Sequence, residues 1–318
     1  MEPLKAIALS EIQAARARIS KLAMRTPLVR YEAASSEIFL KLENLQPIGS
    51  FKIRGSGNAM ELADRKALSK GVYTASAGNM AQGVAWNARR LQIPCTVIVP
   101  DHAPATKLAA IRRLGAETLK VSFEEWWKVI VTHQYPGMSG VFIHPVSDPA
   151  VIAGNGTIGL EILEDLPDVT SILVPYGGGG LSCGITSAVK ALKPWIKVFA
   201  CEVETAAPFA ASLAAGMPQE IDYRASFVDG IGGKSVLPEM WPLASRLLED
   251  SLVVSLADVA ASIRNLAERN HIIAEGAGAV SVAAAAAGKA GAGKIVCIVS
   301  GGNIDPNKLA KILVGEVP

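Results

Sequence analysis

Apolar positions along the chain fall into two alternating rhythms. Ile12, Ala15 and Ile19 recur at helical spacing, and Ser10-Glu11-Ile12-Gln13 reads as a capping box at the start of that helix. Thr26-Pro27-Leu28-Val29 closes it and leads into extended chain, because proline disfavours helical geometry in the residue before it. A strand and a turn are predicted from Lys41 through Pro47 and Gly49, then a helix from Gly55 to about Ser69.

Beyond this point short apolar runs alternate with amphipathic stretches. Val72–Ala75, Cys95–Pro100, Glu117–Val121 and Val141–His144 read as strands. Met80–Leu91, Thr106–Leu114 and Phe123–His133 read as the helices between them. A second series follows. Its predicted strands are Ser171–Pro175, Lys197–Glu202 and Lys294–Val299, and its helices Ala153–Asp165, Leu181–Leu192, Pro208–Ala215, Ala257–Arg269 and Gly278–Ala287. Strands that are apolar throughout, separated by helices, predict an α/β fold with parallel sheets covered on both faces. Between Gly216 and Leu248 glycine, proline and mixed residues hide any period.

Composition narrows the function classes. Half of the 318 residues are hydrophobic, enough for one large domain or two intertwined ones. A net charge of +2 without a basic cluster gives no footprint for nucleic acid. No secretory signal is expected, and the apolar run Ala277–Ala287 is too short to span a bilayer, so no membrane partner is expected. Cys95, Cys183, Cys201 and Cys297 stand singly, without a Cys-x-x-Cys pair, which predicts buried reduced thiols and a cytoplasmic protein.

Candidate chemistry sits at the strand ends. Lys52 lies between Phe51 and Ile53 beside a Gly-Ser turn, and burial there would depress its pKa and leave a nucleophilic amine fit for a Schiff base. The triplet also suits a surface lysine at a helix start. Gly177-Gly178-Gly179-Gly180 follows an apolar strand and opens a helix, so its N–H groups suit a phosphate. Neither a dinucleotide fingerprint nor a P-loop fits, since Ser182 or Cys183 stands in place of a third glycine and no Gly-Lys-Ser/Thr follows. Ser76-Ala77-Gly78-Asn79-Met80 offers side chains and helix-start N–H groups to a carboxylate, or is an ordinary capped helix. Ser300-Gly301-Gly302-Asn303 ends the last buried strand, where ligands of open parallel sheets collect. His102, His133, His144 and His271 lack metal-like spacing, no Gly-x-Ser-x-Gly elbow occurs, and Glu43, Glu161 and Glu275 are too far apart in sequence to suggest a carboxylate pair.

Taken in order, these motifs carry a resemblance. With Thr26-Pro27-Leu28, Lys41-Leu42-Glu43-Asn44-Leu45-Gln46, Ser50-Phe51-Lys52-Ile53-Arg54-Gly55, Pro100-Asp101-His102-Ala103-Pro104, His144-Pro145 and Ala153-Gly154-Asn155-Gly156-Thr157, nearly the whole chain resembles the serine/threonine dehydratase branch of fold-type II pyridoxal-phosphate enzymes. The resemblance implies two intertwined domains, each an open, mostly parallel sheet flanked by helices. Residues 1–50 and 145–318 would form a large cofactor domain and residues 51–144 a small mobile one, with the cofactor in the crevice between them. It implies that Lys52 forms the Schiff base and takes the Cα proton. Phe51 would pack on the pyridine ring, Asn79 bond its 3-hydroxyl, and Gly177, Gly178, Gly179, Gly180 and Leu181 hold the phosphate. Ser300 would face the ring nitrogen, with Ser76, Ala77, Gly78, Asn79 and Met80 around the substrate. The implied reaction is β-elimination from a β-hydroxy amino acid to a 2-oxo acid and ammonia, and the implied assembly is a homodimer.

Departures from the family pattern refine this. Ala77 stands where racemases carry a second serine, which favours dehydration. Met80 replaces a histidine, which suggests an apolar substrate such as phenylserine beside threonine. Glu202 matches the first ligand of a cation site but Pro208 occupies the last, leaving a monovalent cation as the expectation. Racemization, cysteine synthase-like β-replacement and non-catalytic amino-acid binding stand as alternatives.

Overall fold

The computed structural model describes residues 3–33 and 37–318. Two sheets organise them. The larger has six strands in the order β1 (Leu28–Arg30), β2 (Ile38–Lys41), β10 (Ile295–Ile298), β7 (Ser171–Pro175), β8 (Lys197–Val203) and β9 (Ser251–Val254). Only the β1–β2 pair is antiparallel. The smaller is wholly parallel, in the order β5 (Glu117–Val121), β4 (Cys95–Pro100), β3 (Val72–Ala75) and β6 (Val141–Phe142). Strands β3, β7 and β10 are buried at every position, as continuous apolar runs under helices require.

The helices are α1 (Leu9–Ile19), α2 (Lys52–Leu62), α3 (Arg65–Leu68), α4 (Asn79–Leu91), α5 (Ala105–Arg113), α6 (Phe123–Thr132) and α7 (Pro149–Asp165). Then come α8 (Gly180–Leu192), α9 (Pro208–Ala215), α10 (Trp241–Leu247), α11 (Leu256–Asn270), α12 (Gly276–Ala286) and α13 (Pro306–Leu313). Helix α7 is central and is buried along most of its length. A Cβ on Gly154 would come within 2.5 Å of the Arg54 carbonyl, and one on Gly184 would overlap the Ile152 carbonyl. Glycine at these positions lets the α7 backbone pack directly against both α2 and α8.

Several predicted boundaries shift. Helix α1 begins at Leu9 with Ala8 as an N-cap that makes no side-chain bond, so Ser10 does not form the expected capping box. Burial of Ile12, Ala15 and Ile19 sets that helix's position instead. The helix predicted over Gly55–Ser69 begins three residues earlier, at Lys52, and breaks at Ala63, where Asp64 caps the separate α3 by accepting the Ala67 N–H. The strand predicted over Val141–His144 stops at Phe142, because the His144 ring is occupied in the turn that follows: Nδ1 accepts the N–H groups of Val146 and Ser147. Helix α10 falls in the stretch where no period is legible, and it, strand β9 and helix α13 are additions from the structure.

All four cysteines are buried and free, and burial pushes Cys95 and Cys183 up to about 12. No helix among the described residues is long and apolar enough to cross a membrane.

Candidate active site

Lys52 is fixed by the chain on both sides of it. Before it, the Phe51 N–H donates to the Ser300 carbonyl at 3.0 Å and the Gly302 N–H to the Gly49 carbonyl at 2.9 Å, tying the 49–51 turn to the end of β10. After it, α2 locks onto α7. The Nζ donates to the Pro145 carbonyl at 2.9 Å and lies 5.0 Å from the Phe51 ring centroid. Burial lowers the Lys52 pKa to about 8, only partly opposed by the charge of Glu275. A sizeable fraction of this amine is therefore neutral and nucleophilic near pH 8.

Its acceptor sits on a rigid turn. The His144 Nε2 lies 3.1 Å from the Ile130 carbonyl, and the ring stacks on His133 at 4.1 Å between centroids. Burial, then the neighbouring His133, hold His144 down near 3, so the ring is neutral, with Nε2 donating and Nδ1 accepting.

The tetraglycine follows β7 after Tyr176. Gly179 is the N-cap of α8 at φ +92°, a left-handed conformation suited to glycine. The loop rests on the residue after Pro145. A Cβ on Gly178 would come within 2.6 Å of the Val146 side chain, and one on Gly180 within 2.7 Å of its carbonyl. Lys52 and the glycine loop are thus linked through Pro145 and Val146. With Leu181 buried behind it, the loop presents N–H groups at the N-terminus of a 13-residue helix, an anion-binding arrangement.

The third component comes from the smaller sheet. Ser76, Ala77 and Gly78 are half-buried beyond β3; the Ser76 Oγ accepts the Gly78 N–H at 3.2 Å, and the space beside the Gly78 Cα is open. Asn79 opens α4, its Nδ2 donating to Glu275 Oε1 at 2.7 Å and its Oδ1 accepting from Asn303 Nδ2 at 2.8 Å. Ser300 is buried at the turn that receives Phe51. The structure therefore gathers the expected residues around the ends of β3, β7 and β10.

Three expectations change. Met80 is 2% exposed and packs within the apolar cluster of the smaller sheet with residues such as Met60, Val84 and Val97. Its side chain does not wall the open space beside Gly78, since the first turn of α4 points it inward. Glu43 and Glu161, too far apart in sequence to be paired, converge on one guanidinium. Arg54 donates to both oxygens of Glu43 at 2.8 Å and to Glu161 at 2.7 and 3.0 Å, while Lys41 donates to Glu161 at 2.7 Å. Glu202 accepts the N–H groups of Phe209 at 2.9 Å and Ala210 at 2.8 Å and the Ser251 hydroxyl at 2.6 Å, so its carboxylate caps α9. No group of His, Cys, Asp or Glu that could hold a metal ion occurs among the described residues.

Glu275 is the site residue that sequence reasoning passed over. It is buried against Gly301, and burial raises its pKa to about 7. A glutamate at an N-cap, followed by small residues, was its only signal.

The residues suit a phosphorylated pyridine aldehyde: a buried amine held by a backbone carbonyl, a glycine cradle without room for side chains, and a helix N-terminus for the phosphate. Comparison with known proteins agrees. Residues 19–301 match the family described as pyridoxal-phosphate dependent enzyme. The L-threonine ammonia-lyase of Thermotoga maritima is 40% identical over 96% of this chain and 78% of its own. The catabolic L-threonine dehydratase of Escherichia coli K12 is 37% identical over 96% of each chain. The solved structure of maize serine racemase superposes with a TM-score of 0.90 at 32% identity, over 98% of both chains. With the lysine, the glycine cradle and the strand-end turns placed at the ends of β3, β7 and β10, and with the family match over residues 19–301, the chain belongs to the pyridoxal-phosphate-dependent enzyme family.

Proposed function

We propose that this protein is a pyridoxal-phosphate-dependent ammonia-lyase that dehydrates a β-hydroxy amino acid of the threonine or serine type to a 2-oxo acid and ammonia. The observation that carries the reading is the buried Lys52 amine, with its depressed pKa, bonded to Pro145 in the turn whose next residue, Val146, supports the glycine cradle. The likeness to two threonine-degrading relatives supports the choice of substrate.

In this reading Lys52 holds the cofactor through its amine, Gly177, Gly178, Gly179, Gly180 and Leu181 receive the phosphate, and Phe51 packs on the ring. Asn79 and Ser300 meet the 3-oxygen and the ring nitrogen. The bound cofactor supplies an electron-withdrawing ring that acidifies the substrate's Cα–H. Ser76, Ala77, Gly78 and the N–H groups at the start of α4 orient the substrate carboxylate. Lys52, whose amine is in good part neutral near pH 8, would take the Cα proton. The β-hydroxyl would leave as water, taking up the proton that Lys52 removed from Cα, and hydrolysis of the released enamine would yield the 2-oxo acid and ammonia. Ala77 carries no hydroxyl to return a proton to the opposite face, which favours elimination over racemization.

The smaller sheet, within residues 51–144, would move as a small domain against residues 1–50 and 145–318, and the assembly would be a cytoplasmic homodimer. A monovalent cation near Glu202 would use backbone carbonyls, because the carboxylate already has three donors.

The test is 2-oxo acid formation from L-serine, L-threonine and phenylserine. Threonine or serine turnover that Lys52→Ala abolishes is the expected result. A wild-type protein with a Lys52-dependent visible band and no 2-oxo acid from any of the three overturns it. A preference for phenylserine would restore a substrate-contacting role for Met80.

A further inference from the structure

Glu275 occupies the N-cap of α12, where a side chain ordinarily accepts an N–H of its own helix, yet it makes no such bond. It reaches across the crevice to Asn79 Nδ2, at 2.7 Å, on the first turn of α4. The other end of that amide is also held, since Asn79 Oδ1 accepts from Asn303 Nδ2 at 2.8 Å, which donates as well to the Ile48 carbonyl at 2.9 Å. A carboxylate accepts and an NH2 group donates, so these two neighbours distinguish the amide's oxygen from its nitrogen. Turning the Asn79 amide over would break both bonds. One Nδ2–H is used on Glu275, and the second has no acceptor among the described residues. This nitrogen lies against the turn after Ser300, because a Cβ on Gly301 would stand 3.2 Å from it.

We propose that Glu275 is a positioning residue: together with Asn303 it fixes the Asn79 amide so that its second N–H is presented to the 3-oxygen of the bound cofactor. This rests on the cofactor reading above. The contact also spans the crevice, joining a helix of the smaller sheet to the end of the larger one. The charged groups facing Glu275 are Lys52 from α2, Lys107 from α5 and Asp229 from the segment before α10. Burial is the main influence on its carboxyl and raises it; Asn79, Lys107 and Lys52 oppose that, and Asp229 adds to it. Protonation near neutrality would turn the acceptor into a partial donor and loosen its hold on Asn79.

The experiment is cofactor retention by the holoenzyme on dilution, read from the visible band, for wild type, Glu275→Ala, Glu275→Gln, Asn79→Ala and the Asn79→Ala/Glu275→Ala pair. Glu275→Ala is expected to weaken retention about tenfold, the equivalent of one hydrogen bond of roughly 1.4 kcal/mol. In the Asn79→Ala background it should cost nothing further, because Glu275 acts through Asn79. Glu275→Gln, which keeps an acceptor oxygen, should stay within about threefold of wild type and lose any step in band position near pH 7. Unchanged retention in Glu275→Ala, or losses that simply add in the double variant, overturns the proposal. Should Glu275→Ala fail to fold, Glu275→Asp, one methylene too short to reach Asn79, carries the same expectation. A wild type that shows no Lys52-dependent band refutes the cofactor reading itself, which is a separate outcome.

Discussion

Replacing Arg54 with methionine tests whether the charged cluster beneath the lysine helix is what holds it in place. The guanidinium is 2% exposed and is shared by Glu43, Glu161, the Thr157 hydroxyl and the Met24 carbonyl. Arg54 and Lys41 balance Glu43 and Glu161, so the substitution leaves two buried carboxylates facing one ammonium. Removing one partner from a buried ion pair costs about 3–5 kcal/mol. At about 2 °C per kcal/mol for a chain of this size, the thermal midpoint should fall by about 8 °C at pH 7. The pH dependence separates this mechanism from a mere packing defect. In the wild type burial raises the Glu43 carboxyl, but the charge and hydrogen bonds of Arg54, with lesser help from Thr26 and Lys41, outweigh it, and the net shift is downward. That stability is present above the ordinary carboxylate range and is lost as pH falls through the lowered value. Without Arg54, burial is opposed only by the Thr26 hydrogen bond and the more distant charge of Lys41, and the carboxyl moves upward from its wild-type position. The variant's deficit should therefore shrink between pH 7 and pH 5, as protonation removes an unpaired buried charge. Scanning fluorimetry of both proteins across that range is the assay. A deficit that is equal at both ends, or one below about 1 kcal/mol at pH 7, would refute the reasoning. Arg54→Lys should recover only part of the loss, since an ammonium cannot serve two carboxylates with a planar fork.

Two further outcomes follow from the site. The Lys52 amine titrates near 8 in the folded protein and near 10.5 when unfolded, so the unfolded chain binds more protons between these values and stability gains from this group as pH rises through that window. Subtracting the stability profile of Lys52→Met from that of wild type isolates the gain, and a flat difference between pH 8 and 10 contradicts the burial argument. Gly178→Ala brings a methyl group within 2.6 Å of Val146 in the phosphate cradle. Cofactor retention should drop at least tenfold, against a midpoint change of only a few degrees; a holoenzyme as tight as wild type would argue against the cradle.

How much of this was legible beforehand depended on the range of the determining forces. Strand Ser171–Pro175 and helix Pro208–Ala215 read correctly to the residue, because an unbroken apolar run and a proline at the first helical turn are local signals. Lys52, the tetraglycine, Asn79 and Ser300 stood out as candidates because each lies at the end of a strand or the start of a helix, in a turn of unusual composition. The Arg54 cluster was not, since its members come from Lys41, Glu43 and Glu161, and only the tertiary packing of α2 on α7 brings them together. Met80 misled for the opposite reason: a local motif suggested a pocket, and helix phase decided that the side chain faces the core. Glu275 could not be ranked from sequence, because its partner Asn79 lies in another sheet's helix, 196 residues away.

The glycines of α7 have a consequence for ligand selection. The helix that begins with the reactive amine and the helix that begins at the anion cradle are both pressed against this one rod, the first where its Arg54 carbonyl meets Gly154 of α7 and the second where its own Gly184 meets the Ile152 carbonyl. The span from amine to cradle is thereby set like the jaws of a caliper. A ligand that bridges them is expected to match that opening in length, so an aldehyde lacking its phosphate, or carrying it on a longer arm, should be retained less tightly than one of matching span.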